Sequence, residues 1–208
     1  MRLLVIDTGL AVCQAAVFDG ERPLSALSEA MTRGHQERLA PMVREVMEAA
    51  EVAFTEFDRV VVTVGPGSFT GVRVGLAFAK GLALALETPC VGVGTLAALA
   101  ASLGGAERRA AVIDAGRGSV YLQLFDGAAE LLAPDILPLE TAAARLAELA
   151  PVDSLVGPQA SRLIQALPAA EAVDLAAPAA AAIARLAKDA PLVPPRPLYL
   201  RPPDARVR

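Results

Sequence analysis

The chain has 208 residues, 54% of them hydrophobic, and a formal net charge of −4. That length suffices for one large domain or two small lobes, and much of the apolar excess over an average soluble domain is Ala, which points to a core of small side chains. The acidic balance argues against a stand-alone nucleic-acid binder, and the two cysteines, Cys13 and Cys90, lack metal-ligand spacing and read as reduced core residues.

At the N-terminus Arg2 is followed by a short apolar run that stops at Asp7, which is not the pattern of a signal peptide. The longest apolar candidate, 74–86, is too short to span a bilayer and carries Lys80 in its middle, so a cytoplasmic protein away from membranes is expected. The opening run belongs to a strand–turn–strand unit that returns at an offset of 107. Arg2-Leu3-Leu4-Val5-Ile6-Asp7-Thr8-Gly9 aligns with Arg109-Ala110-Ala111-Val112-Ile113-Asp114-Ala115-Gly116. Without a gap, Val17-Phe18-Asp19-Gly20 then meets Leu124-Phe125-Asp126-Gly127, giving eight identities in nineteen positions. Two related lobes, each opening with a β-hairpin, follow from this: 1–104, a reduced copy over 105–190, and a Pro/Arg-rich tail over 191–208.

After the first hairpin, 25–30 reads as a third strand. His35–Ala50 reads as a helix with Leu39, Met42, Val43, Val46 and Met47 on one face and Pro41 near its first turn. A buried strand over 59–64, a turn over 65–71, a helix over 72–86 and a strand at Cys90–Val93 come next, with Thr95 capping a helix that reaches Ser102. The second half is less regular: helices over 139–149, 161–167 and 178–188, and a strand at Ser154–Val156. Strands alternating with helices imply an α/β layered fold. The segment 191–203 holds six prolines and is extended. From residue 191 onward Arg196, Arg201, Arg206 and Arg208 stand against Asp204 alone, a basic tail that is either solvated or docks on RNA or a partner.

Gly65-Pro66-Gly67-Ser68-Phe69-Thr70-Gly71 lies between strand and helix, where a phosphate loop would sit, yet lacks the Lys-Ser/Thr pair of a Walker A loop and the last glycine of a dinucleotide fingerprint. Two readings stay open. The glycines permit a tight turn, with Ser68 or Thr70 capping the helix, or the helix N-terminus accepts an anion. The helix that follows carries only Arg73 and Lys80 as charges, seven apart on one stripe. Gly71, Gly75 and Ala79 form one small-residue ridge and Ala77, Gly81 and Ala85 another. A helix apolar nearly all round is buried on nearly all sides, either inside its own lobe or against a partner.

Asp7-Thr8-Gly9 and Asp114-Ala115-Gly116 resemble the paired phosphate hairpins of the actin, sugar kinase and Hsp70 superfamily, where the Asp holds a metal–nucleotide. An ordinary Asp-Gly hairpin turn is the plainer reading. The sole histidine, His35, cannot make a two-His metal site, no nucleophile elbow accompanies it, and it reads as a surface or capping residue.

These pieces together resemble the TsaB (YeaZ) family. The matching residues are Leu4-Val5-Ile6-Asp7-Thr8, Gly34-His35-x-Glu37-x-Leu39-x-Pro41, the 65–75 stretch, Ala79-Lys80-Gly81-Leu82-Ala83, Asp114-Ala115 leading to Val120-Tyr121, and Tyr199-Leu200-Arg201. The resemblance implies an actin-like (ASKHA, duplicated RNase H-like) two-lobe fold. It also implies a non-catalytic subunit that binds the catalytic paralogue TsaD, which transfers a threonylcarbamoyl group onto the adenosine beside the anticodon of transfer RNA, with the ATPase TsaE in the same complex. It further implies self-pairing when alone, transfer RNA contact only through the complex, no intrinsic cofactor, and ATP or ADP at the level of the complex. The partner surface it implies is built from first-lobe helices, nominating Gly71, Arg73, Val74, Gly75, Phe78, Ala79, Gly81 and Leu82 with His35 and Leu39. TsaD-like proteins carry a metal-binding histidine pair where this chain has His35 alone, and Gly116 stands where the family usually has a basic residue. The alternative is a nucleotide-binding ATPase or phosphotransferase of the actin-like superfamily, for which Asp7, Thr8, Gly65, Gly67 and Ser68 are the ligand candidates.

Overall fold

The computed structural model describes residues 1–105 and 107–201; the part of the basic tail holding Asp204, Arg206 and Arg208 lies outside them. Strands β1 (Arg2–Asp7), β2 (Val12–Asp19) and β3 (Arg22–Ala30) form an antiparallel meander. Helix α1 (His35–Ala50), strand β4 (Arg59–Thr63), helix α2 (Phe69–Ala85), strand β5 (Cys90–Val93) and helix α3 (Thr95–Ser102) follow. β4 pairs parallel to β1 and β5 parallel to β4, so the sheet order is β3-β2-β1-β4-β5.

The second half repeats this plan. Strands β6 (Arg108–Gly116), β7 (Ser119–Asp126) and β8 (Ala129–Pro138) form the meander, and helix α4 (Leu139–Glu148) leads to strand β9 (Ser154–Val156). A 3-10 helix over Ala160–Ala166 then stands where α2 stood, before strand β10 (Glu171–Val173) and helix α5 (Ala180–Ala187). The order β8-β7-β6-β9-β10 has the same pairing senses as the first sheet. A repeated five-stranded meander-plus-crossover sheet is the duplicated, actin-like α/β architecture.

The central strands are buried on both faces, as parallel-paired strands covered by helices require. In β1, Leu4 and Ile6 enter the core shared with α1 and α2, while Leu3 and Val5 enter the opposite one. In β6, Ala110 and Val112 likewise face α4 while Ala111 and Ile113 face α3. The closing helices are exchanged between the halves. α5, from the second half, packs Ile183, Ala184 and Ala187 on the first sheet, and α3 sets Leu96 and Leu99 on the second. Arg59 of β4 donates to the carbonyls of Ala187 and Lys188 at the end of α5, at 2.6 and 3.1 Å, where unpaired carbonyls and the helix dipole favour a cation.

Several elements differ from expectation. The sequence pattern predicts neither β8 nor β10: β8 is an edge strand containing Pro134, which reads as a break in a strand. α2 starts at Phe69 rather than 72, because Ser68 caps it by accepting from the Gly71 N–H at 3.2 Å. Gly94, and not Thr95, is the cap of α3. The gapless repeat also conceals a bulge between Asp114 and Gly116, which slips the β6–β7 register by one residue relative to β1–β2.

Candidate functional site

The turn after β1 and the glycine loop before α2 are pressed backbone to backbone. A Cβ on Gly67 would lie 2.2 Å from the Gly9 carbonyl oxygen, and one on Gly71 2.0 Å from that of Thr8. Only glycine permits this approach. Two hydrogen bonds lock it: the Ser68 N–H donates to Gly9 O at 2.7 Å, and the Thr8 hydroxyl to Gly71 O at 2.7 Å. Gly75 continues the contact one turn on, where a Cβ would meet Thr8 Oγ1 at 2.6 Å.

Asp7 sits beneath this junction, fully buried. Its Oδ1 accepts from the Gly9 N–H at 2.9 Å and the Thr63 hydroxyl at 2.5 Å, and its Oδ2 from Gln14 Nε2 at 2.8 Å. Gln14 also donates to Pro178 O at 2.8 Å, tying the first hairpin to the entry of α5. A carboxylate with both oxygens engaged and no exposure cannot reach a metal–nucleotide unless the hairpin opens. Of the ligand candidates, Asp7, Thr8 and Gly65 are buried, and Ser68 alone is exposed. The N–H groups of Ser68, Gly71 and Val72 are already donated within the chain, which favours the tight-turn reading of the loop. Thr63 and Gln14 escaped the sequence reading, since only the fold brings them to Asp7.

The second hairpin differs. Asp114 is exposed, accepts from the Gly116 N–H at 2.9 Å and pairs with Arg162 at 3.3 Å. Gly116, Arg117 and Gly118 all adopt positive φ, so the turn is tight and left-handed. Between the hairpins lies a cleft of about 520 Å3 bordered by Leu10, His35, Ser68, Asp114 and Tyr121. No cluster of three or more His, Cys, Asp or Glu side chains that could hold a metal forms among the described residues.

The nominated helix surface needs correction. Gly71, Gly75 and Ala79 are the buried ridge of α2, turned into its own lobe against Thr8 and Val62, and Leu39 is buried in the α1 core. His35 is only 8% exposed and not a surface residue, because four-residue spacing places it on the same face as Leu39. What α2 shows outward is Arg73, Ala77, Lys80, Gly81 and Leu84, with Val74, Phe78 and Leu82 half-buried at its margin. Leu84 is 81% exposed. Within the chain the helix is thus buried on one face only, so of the two expected ways of covering it internal burial accounts for that face alone. The ridge of Ala77, Gly81 and Ala85 is open, and a Cβ on Gly81 would meet no atom of the described residues within 4 Å.

The C-terminal segment returns across the glycine loop. Leu198 N–H donates to Val64 O at 2.8 Å, and Tyr199 stacks on Phe69 with ring centroids 5.4 Å apart. The Arg73 guanidinium lies 3.6 Å from the Phe69 ring centroid, and its Nε donates to the Tyr199 hydroxyl at 2.8 Å. Burial pushes the thiols of Cys13 and Cys90 up to about 11, so both stay protonated at neutral pH. No helix among the described residues is long and apolar enough to cross a membrane.

Comparison with known proteins agrees with this architecture. Residues 27–199 match the family model described as TsaD: tRNA N6-adenosine threonylcarbamoyltransferase. The chain is 40% identical over 124 residues to the tRNA threonylcarbamoyladenosine biosynthesis protein TsaB of Escherichia coli, covering 58% of this chain and 53% of that protein. The match thus spans about half the length of that relative. An uncharacterized protein of Mycobacterium tuberculosis is 34% identical over 209 residues, covering 98% of this chain and 93% of the relative. The structure of YeaZ from Pseudomonas aeruginosa superposes with a TM-score of 0.80 at 32% identity, covering 96% of this chain and 99% of that one. With a family model matched along most of its length and a full-length YeaZ neighbour, the chain belongs to the TsaB/YeaZ family.

Proposed function

We propose that this chain is a non-catalytic subunit in the biosynthesis of threonylcarbamoyladenosine on transfer RNA, where it binds and supports the catalytic TsaD-like paralogue. The observation that carries this reading is the outward face of α2. Ala77, Gly81, Leu84 and Ala85 form an open, small and apolar stripe, with Lys80 and Arg73 its only charges, on a helix whose other face is packed in the core. Such a face permits close helix-to-helix approach and leaves Leu84 in water until something covers it. The same face serves self-pairing in the absence of the paralogue. The buried, fully bonded Asp7 supports a scaffold over an enzyme in its own right.

A TsaE-like ATPase and transfer RNA join through the assembled complex, any ATP or ADP acts there, and the work is cytoplasmic. The test is Gly81→Arg, which has open space in the free chain. In the complex it places an unpaired cation in the contact, costing several kcal/mol of association, about 3–5 by analogy with a broken buried pair. Normal folding with binding to the paralogue weakened at least a hundredfold supports the reading. Unchanged binding removes this surface from the interface.

A further inference from the structure

We propose that the pocket between the start of α2 and the C-terminal segment binds a nucleotide, its base stacked on the exposed aromatic rings and its phosphate held by Arg73 and Arg201. The inference rests on the reading above, that the chain works on transfer RNA, and it adds a direct contact. The pocket has a volume of about 450 Å3 and is bordered by Pro66, Phe69, Arg73, Tyr199, Leu200 and Arg201, within the range of roughly 300–1,000 Å3 common for small-ligand sites.

Phe69 and Tyr199 are 50% and 44% exposed although they touch each other. The Arg73 guanidinium carbon lies over the Phe69 ring, and its Nε is spent on the Tyr199 hydroxyl. Neither Arg73 nor Arg201 has a carboxylate partner among the described residues. A guanidinium oriented by a ring presents its remaining N–H edge in one plane, the geometry that holds phosphate. Aromatic faces beside cations are the means by which proteins take unpaired nucleotides without reading sequence. A carboxylate-bearing peptide would satisfy the cations alone; a nucleotide also uses the ring surface of Phe69 and Tyr199 that stays exposed beside Arg73. The acidic body, at a net charge of −4, restricts this to a local contact and does not make the chain an RNA binder on its own.

One chemistry covers two sources, an unpaired nucleotide of transfer RNA and a free mononucleotide, and the experiment separates them. Wild-type chain, Tyr199→Ala and Arg201→Gln are each mixed with the TsaD-like paralogue, assembly is verified by light scattering, and the complexes are titrated with a transfer RNA transcript and with AMP. Both variants are expected to assemble normally. Loss of the Tyr199 ring weakens RNA binding by roughly 5- to 100-fold. Loss of Arg201 lowers the slope of log K against log salt by about 0.7, a readout that a purely structural role would not move. AMP binding lost in both variants while RNA binding is unchanged supports the nucleotide pocket and assigns it to the free ligand. RNA affinity and salt slope equal to wild type, with no AMP binding to the wild-type complex, overturn the proposal. So does a failure of either folded variant to assemble, which makes the pocket a protein-docking site. Should the wild-type proteins not assemble, the proposed scaffold role fails, and AMP titration of the full chain alone still decides the pocket.

Discussion

Replacing Gly71 with Ala tests the packing that closes the first hairpin. The new Cβ would lie 2.0 Å from the Thr8 carbonyl oxygen, a backbone atom that cannot rotate away. Loop and hairpin must separate by more than an ångström. Overpacking of this kind costs about 1–3 kcal/mol, and the two hydrogen bonds across the junction contribute about 1 kcal/mol each. The better helix propensity of Ala returns about 1 kcal/mol. The net is a loss of about 2–4 kcal/mol, or a fall in Tm of roughly 5–15 °C for a chain of this size. Gly81→Ala is the internal control. It lies in the same helix with nothing near its Cβ, so it gains about 0.5–1 kcal/mol by propensity alone. Urea denaturation of both variants, followed by far-UV circular dichroism, gives the two values. A Gly71→Ala protein within 0.5 kcal/mol of wild type, a margin normal for surface changes, would refute the argument.

Four further outcomes follow from the same coordinates. Asp7→Asn turns an amide N–H toward donors now received by carboxylate oxygens, and a loss of about 2–4 kcal/mol in denaturant titration is expected; unaltered stability contradicts the hub role. Gly75→Arg finds Thr8 Oγ1 2.6 Å from its Cβ and lowers stability in the isolated chain, whereas Gly81→Arg melts like wild type; equal melting of the two contradicts the assignment of inner and outer faces. Cys13 and Cys90, with thiols near 11, react with a thiol reagent at pH 8 far more slowly in the folded protein than in urea; equal rates contradict it. Hydrogen bonds from Arg38 hold the carboxyls of Glu29 and Glu45 below the usual range, so their stabilisation is complete above the unfolded value and fades as pH falls through the lowered folded values. Arg38→Gln raises both, as side-chain carboxyl NMR titration would show, and unmoved values rule out the pairing.

How far the sequence carried depended on whether a feature was local. α1, β5 and β9 lie where apolar periodicity places them, at His35–Ala50, Cys90–Val93 and Ser154–Val156, because each pattern is closed by its own turn residues. The duplication was visible in two Asp-x-Gly turns and two Phe-Asp-Gly turns, and the repeated strand order reproduces it. β8 was hidden by Pro134 and by an edge position that exposes much of its length. The bulge beside Ala115 was hidden because it changes pairing without changing length.

At the site, glycine spacing indicated a tight turn, but its partner is the turn of Thr8 and Gly9 across the fold. The two small-residue ridges of α2 are equivalent as sequence. Packing against Thr8 and Val62 alone decides that Gly71, Gly75 and Ala79 turn inward and Gly81 outward. His35 was misplaced because its polar neighbours outweighed its four-residue spacing from Leu39.

Mixing the purified chain with its organism's TsaD-like paralogue and measuring mass by size-exclusion chromatography with light scattering, with and without ATP, tests whether the chain is a scaffold subunit. A scaffold subunit gives a heterodimer in place of the self-paired chain, and Gly81→Arg abolishes it while leaving the free chain folded. Two species that elute separately at their own masses in both conditions would contradict that role.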